Sequence, residues 1–252
     1  MSRSVRLDHP DSSPLDRAVW RLRSRGCWDD AAALLEPYAA EDSAAALRRA
    51  ALLVEQCMFT ADGWQAAEDA LRAAEAVAQD DDERGAAACE RGQLAYAATI
   101  LGVRDRADEA RAALGRAAAL LAPAARGRAL LDFRRGLLAE QLSDTPQSAR
   151  AAYRRAHAGA TAQGNTLLCS FTWRQLAGLA LRDGELAEAR HGFTESLRLR
   201  EDLGFLVGMA PALVALAGVV SDPEASRLRE EASRLFRLLG GIPTWLESHL
   251  SA

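Results

Sequence analysis

From Leu15 onward, apolar positions recur with helical spacing, and short polar breakers interrupt them at Ser24-Arg25-Gly26, Ala61-Asp62-Gly63, Arg104-Asp105-Arg106, Ser143-Asp144-Thr145-Pro146, Asp183-Gly184 and Ser221-Asp222-Pro223. Asp, Ser and Thr at such places cap a following helix, and Pro fits its first turn. The clearest stretch is residues 170–203, SFTWRQLAGLALRDGELAEARHGFTESLRLREDL, with two helical patterns around Asp183-Gly184. After each breaker the second helix opens with a small residue: Ala31, Ala67, Ala110, Ala149, Ala189 and Ala225, separated by 36, 43, 39, 40 and 36 residues. Four residues on come Leu35, Leu71, Leu114, Tyr153 and Phe193; seven on come Tyr38, Ala74, Ala117, Ala156 and Ser196. Positions i, i+4 and i+7 share one helix face, so each second helix carries a small-large-small stripe. A period near forty with two helices in it predicts an all-α fold, an α-solenoid of about six helix-turn-helix units.

The last unit departs from this register. Arg229 stands at its bulky position, and Pro211 falls inside its first helix, so it is expected to act as an irregular cap. The predicted organisation is a disordered lead-in over residues 1–14, the solenoid over 15–240, and a capping tail over 241–252 that offers Trp245 and Leu246 to the end of the stack.

Composition narrows the function classes. Hydrophobic residues make up 49% and aromatics only 6%, as suits an Ala/Leu-rich helical protein better than a sheet protein. The 31 basic residues are all Arg, so no Schiff-base or phosphate-loop lysine exists. Net charge is −4, which argues against nucleic acid as a partner. No apolar run is long enough to span a membrane, and the N-terminus lacks a secretory pattern. Cys27, Cys57, Cys89 and Cys169 show no paired spacing, and together these features predict a cytoplasmic protein with reduced thiols.

The chain resembles tetratricopeptide repeat proteins over roughly residues 15–240. The residues that carry this are Trp173, Leu176, Ala177, Ala189 and Phe193; the family's Gly and Tyr positions hold Ala177 and Ala180 here. The longer repeat, with ESLRLREDLG and SDPEASRLREEASRLFRLLGG, resembles the C-terminal sensor regions of large bacterial transcriptional regulators. No phosphate-binding loop or basic helix-turn-helix segment accompanies them. The resemblance implies a right-handed superhelix whose first helices line a concave groove. Carried over onto this chain, it places Trp20, Gln56, Phe59, Arg134, Gln141, Phe171, Arg174 and Arg182 along that groove.

Such a lining suits an acidic or amphipathic peptide, with Arg134, Arg174 and Arg182 gripping carboxylates. The plainer reading makes these arginines solvated or ion-paired, and Trp20 and Phe59 helix-packing residues. No catalytic or metal motif is present: His9, His157, His191 and His249 are far apart, and Gln79-Asp80-Asp81-Asp82-Glu83 lacks calcium-loop spacing and reads as a solvated interhelix loop. The expected function is therefore a non-catalytic module that binds a protein segment or peptide, without cofactor or metal. The alternatives are a module sensing a small-molecule effector and an unrecognised biosynthetic enzyme using groove residues; a homodimer is open to each.

Overall fold

In a computed structural model that describes residues 13–250, the chain is all-helical. The described residues form α1 (Pro14–Arg23), α2 (Trp28–Leu35), α3 (Ser43–Thr60), α4 (Trp64–Val77), α5 (Asp81–Ile100), α6 (Ala107–Leu120), α7 (Arg128–Gln141), α8 (Pro146–Gln163), α9 (Thr166–Arg182), α10 (Leu186–Leu203), α11 (Leu206–Ala217), α12 (Glu224–Leu238) and a last turn, α13 (Glu247–Leu250). Single 3-10 turns occupy Glu36–Tyr38 and Thr244–Leu246. Each odd-numbered helix from α1 to α11 packs against the next even one, and each pair against its successor, consistent with an α-solenoid.

Local chemistry sets the boundaries. Ser13 caps α1 by accepting from the Asp16 amide, Asp16 answers at Ser13, and Pro14 fills the first turn. The lead-in therefore ends in a working cap, and residues 1–12 of it lie outside the described residues. Asp42, Asp80 and Asn165 cap α3, α5 and α9 in the same way. The acidic run expected as a loop is instead this helix start: Asp80 accepts from the Glu83 amide, and Asp81, Asp82 and Glu83 lie in the first turn of α5. Their charges there favour the positive end of the helix dipole. Gly164 and Gly204 end α8 and α10 in the left-handed conformation that a side chain disfavours.

The stripe is the core. The six marker alanines are between 0% and 3% exposed, and Leu35, Leu71, Leu114, Tyr153 and Phe193 are buried with them. Size is matched across the α7–α8 pair: a Cβ on Gly136 of α7 would stand 2.4 Å from the Tyr153 ring of α8. One stripe position fails. Tyr38 is 53% exposed because α2 ends at Leu35 and the chain tightens into a 3-10 turn before reaching it.

The two ends of the stack meet. Trp20 of α1 stacks on Phe205, just ahead of α11, with ring centroids 5.9 Å apart. Its indole N–H donates to the Leu203 carbonyl at 3.3 Å, and the Val207 amide donates to the Ser24 carbonyl at 2.9 Å. Trp28, Leu52, Leu167, Phe205 and Val207 belong to one buried cluster there. The tail joins as well: Leu246 is buried against the last pair, and the Thr244 hydroxyl donates to the Phe59 carbonyl. The space between the first and last pairs is therefore occupied by the chain itself.

Candidate binding face

The groove positions divide by what the rest of the chain does to them. Trp20 belongs to the seam just described. Phe59 packs its ring 5.3 Å from Trp28, and Gln56 donates to Asp29 at 2.8 Å. Phe171 of α9 lies between Phe133 of α7 and Phe205, at 6.1 and 6.0 Å. These four are held by neighbours within the fold, three of them in aromatic contacts. Gln141, at the end of α7, is exposed.

The three arginines have different surroundings. Arg134 is buried, donates to both Glu90 oxygens at 2.7 and 2.8 Å, and reaches the Cys89 sulfur at 3.2 Å. Burial opposes its charge, but Glu90 alongside outweighs that and lifts its pKa above the ordinary value. Arg182 is exposed and ion-paired with Glu140, whose other oxygen accepts from the Tyr153 hydroxyl at 2.6 Å. Arg174 is partly exposed and donates only to Gln175, at 3.1 Å. Burial pushes its pKa down, partly offset by the charge of Glu140.

Arg200 of α10, 3% exposed, packs against Ser170 and Phe171, one turn before Arg174 on α9, and feels the Arg174 charge. It donates to the Gly208 carbonyl at 2.6 Å and toward the Ser170 hydroxyl at 3.4 Å, and its guanidinium lies 5.3 Å from the Phe171 ring centre. Burial, then the neighbouring Arg174 charge, push its pKa down to about 9. Neither Arg174 nor Arg200 makes an ion pair among the described residues. At neutral pH both stay cationic.

Sequence reasoning placed Arg174 on this face and missed Arg200, although a signal existed. Arg200 continues the buried stripe Ala189–Phe193–Ser196 by one more turn, where the third and fourth units have Leu121 and Ala160. A charge on a core stripe marks either a partner or a function. Glu90 and Glu140 gave no such signal, because their partners come from other helices.

An outer cleft of about 560 Å³ is lined by Glu68, Arg104, Asp105, Arg106, Glu109 and Arg111, but Arg106 pairs with both Glu68 and Glu109. His157 and His191 bracket the Trp173 ring at 4.9 and 5.3 Å, and His157 Nδ1 lies 2.8 Å from Thr172 Oγ1. Among the described residues no cluster of His, Cys, Asp and Glu is arranged to hold a metal ion, and no helix is long and apolar enough to cross a membrane.

No family model and no curated protein matches this sequence. Among solved structures the fold is similar to the crystal structure of BtubC (BKLC) from P. vanneervenii, with a TM-score of 0.54 at 15% identity, covering 91% of this chain and 94% of that one. At that identity the likeness concerns the fold alone.

Proposed function

We propose that this chain is a cytoplasmic, tetratricopeptide-like interaction module that performs no chemistry and binds an acidic segment of a partner protein on its concave face, between α5 and α10. One observation carries the reading: where the chain ion-pairs Arg134 and Arg182, it leaves the partly exposed Arg174 without an ion pair among the described residues. A cation whose charge is only partly offset from within the fold favours an anionic guest, because desolvation strengthens every remaining charge interaction. The seam shortens the available surface, so the guest is a short segment instead of a long extended peptide. The test is fluorescence anisotropy with labelled Glu-rich, Gly/Ser-rich and Arg-rich decapeptides at low and high salt. Preferential, salt-sensitive binding of the Glu-rich peptide is expected; equal affinity for all three rejects the reading.

A second reading, effector sensing, is favoured by the aromatic continuity of the site with the seam. Phe171 lies beside both Arg200 and Phe205, and Phe205 stacks on Trp20. Under that reading a small anion at Arg174 alters Trp20 fluorescence.

A further inference from the structure

We propose that Arg174 is the direct oxyanion contact of the concave face and that the buried Arg200 acts behind it as a positioning residue, so that the site takes a single carboxylate or phosphate group. This rests on the concave-face reading above and specifies the chemistry that the face recognises.

Geometry supplies the argument. A guanidinium carries five N–H donors and no acceptor, so a site built from two of them selects anions and rejects metal cations. Arg174 uses Nη1 on Gln175, and its Nε and Nη2 make no hydrogen bond among the described residues. Arg200 is fixed more firmly. Its Nη1 is committed to the Gly208 carbonyl, its Nε points to Ser170, and its guanidinium lies over Phe171. Such a buried, oriented cation contributes field without contact, as a charge does in a medium of low effective dielectric.

The carboxylate nearest in charge to Arg174, Glu140, is already engaged: one oxygen accepts from Tyr153 and the other pairs with Arg182. The fold thus supplies the acid that Arg182 needs and leaves Arg174 to be completed from outside. Repulsion between two like charges is relieved when an anion arrives, so binding should stabilise the fold. The same chemistry fits an Asp or Glu side chain, a chain-terminal carboxylate or a phosphoryl group.

Calorimetric titrations of the full chain with glutarate, inorganic phosphate and the Glu-rich decapeptide decide the matter, using wild type, Arg174→Met, Arg174→Lys and Arg182→Met. Arg174→Met should weaken the peptide on the order of tenfold, as loss of one charge-assisted contact does. Arg182→Met should change it by less than about threefold, and Arg174→Lys should fall between. Whichever small anion raises the melting temperature of wild type but not of Arg174→Met identifies the group taken. Peptide binding unchanged in Arg174→Met overturns the contact and leaves the interaction module standing. Equal losses in Arg174→Met and Arg182→Met overturn it too, because general charge would then be responsible. Binding of no anion and no peptide by the folded wild type overturns both readings. If Arg200→Met folds, it should weaken the same ligands without moving the contact, so that Arg174→Met on top of it adds a further loss.

Discussion

Arg134 and Arg174 stand at the same place in successive first helices, and the two neighbourhoods treat them in opposite ways. On the α5–α7 side, Glu90 meets Arg134 inside the core and the interior is electrically closed. On the α9–α11 side, Arg174 has the Arg200 charge nearby and no ion pair among the described residues, beside the aromatic seam where the first pair meets the last. A buried ion pair adds little net stability but becomes costly when halved. A partly exposed, unpaired cation is cheap to remove and useful only to a ligand. Equivalent positions in a repeat can therefore hold one residue type for unrelated reasons, and the surrounding charges distinguish them.

The largest test of that contrast is Glu90→Ala. It strands Arg134 in the core and should destabilise the protein by about 3–5 kcal/mol in urea denaturation, whereas Arg174→Met should stay within about 0.5 kcal/mol of wild type. Comparable costs for the two would erase the distinction. Next, Trp20→Ala opens the seam on the charged side. Because Trp20 is only partly buried, we expect roughly 2–3 kcal/mol, below the value for full burial, together with faster exchange of the Val207 amide whose bond to Ser24 spans the seam. Unchanged exchange would mean that the ends hold together without the tryptophan.

On the neutral side, Gly136→Ala drives a methyl group into the Tyr153 ring and should cost about 1–3 kcal/mol. A neutral result would show that the α7–α8 pair has slack. The smallest effect is a pH dependence. Burial holds the His157 pKa below its ordinary 6.5, so the unfolded chain takes up the proton first. Stability contributed by the neutral ring is present above pH 6.5 and declines as pH falls toward the folded-state pKa. His157→Gln should flatten the melting-temperature profile between pH 7 and 5; an identical slope would assign that dependence to other groups.

Much of the fold was legible because burial imposes a period. Ala149, Tyr153 and Ala156 report one helix face directly, and the breaker at Thr145-Pro146 reports where that helix starts. Tyr38 misled because the pattern assumes a full-length helix, and α2 stops early. The seam was hidden for another reason. In a stack of paired helices, where the ends fall follows from small rotations accumulating from pair to pair, and no single residue encodes that sum. At the site, Arg174 was readable from its repeat position and Arg200 from its place on a core stripe. Their lack of an ion pair was not, since Glu90 and Glu140 reach Arg134 and Arg182 from different helices.

Side-chain spectra of the arginine-labelled protein test the central contrast most directly, by following each Nε–H group while glutarate is added. The Arg174 signal should shift with saturation, the Arg200 signal should follow more weakly, and the Arg134 signal, locked to Glu90, should stay in place. A shift of Arg134 equal to that of Arg174, or no movement at either while glutarate binds, would contradict the account.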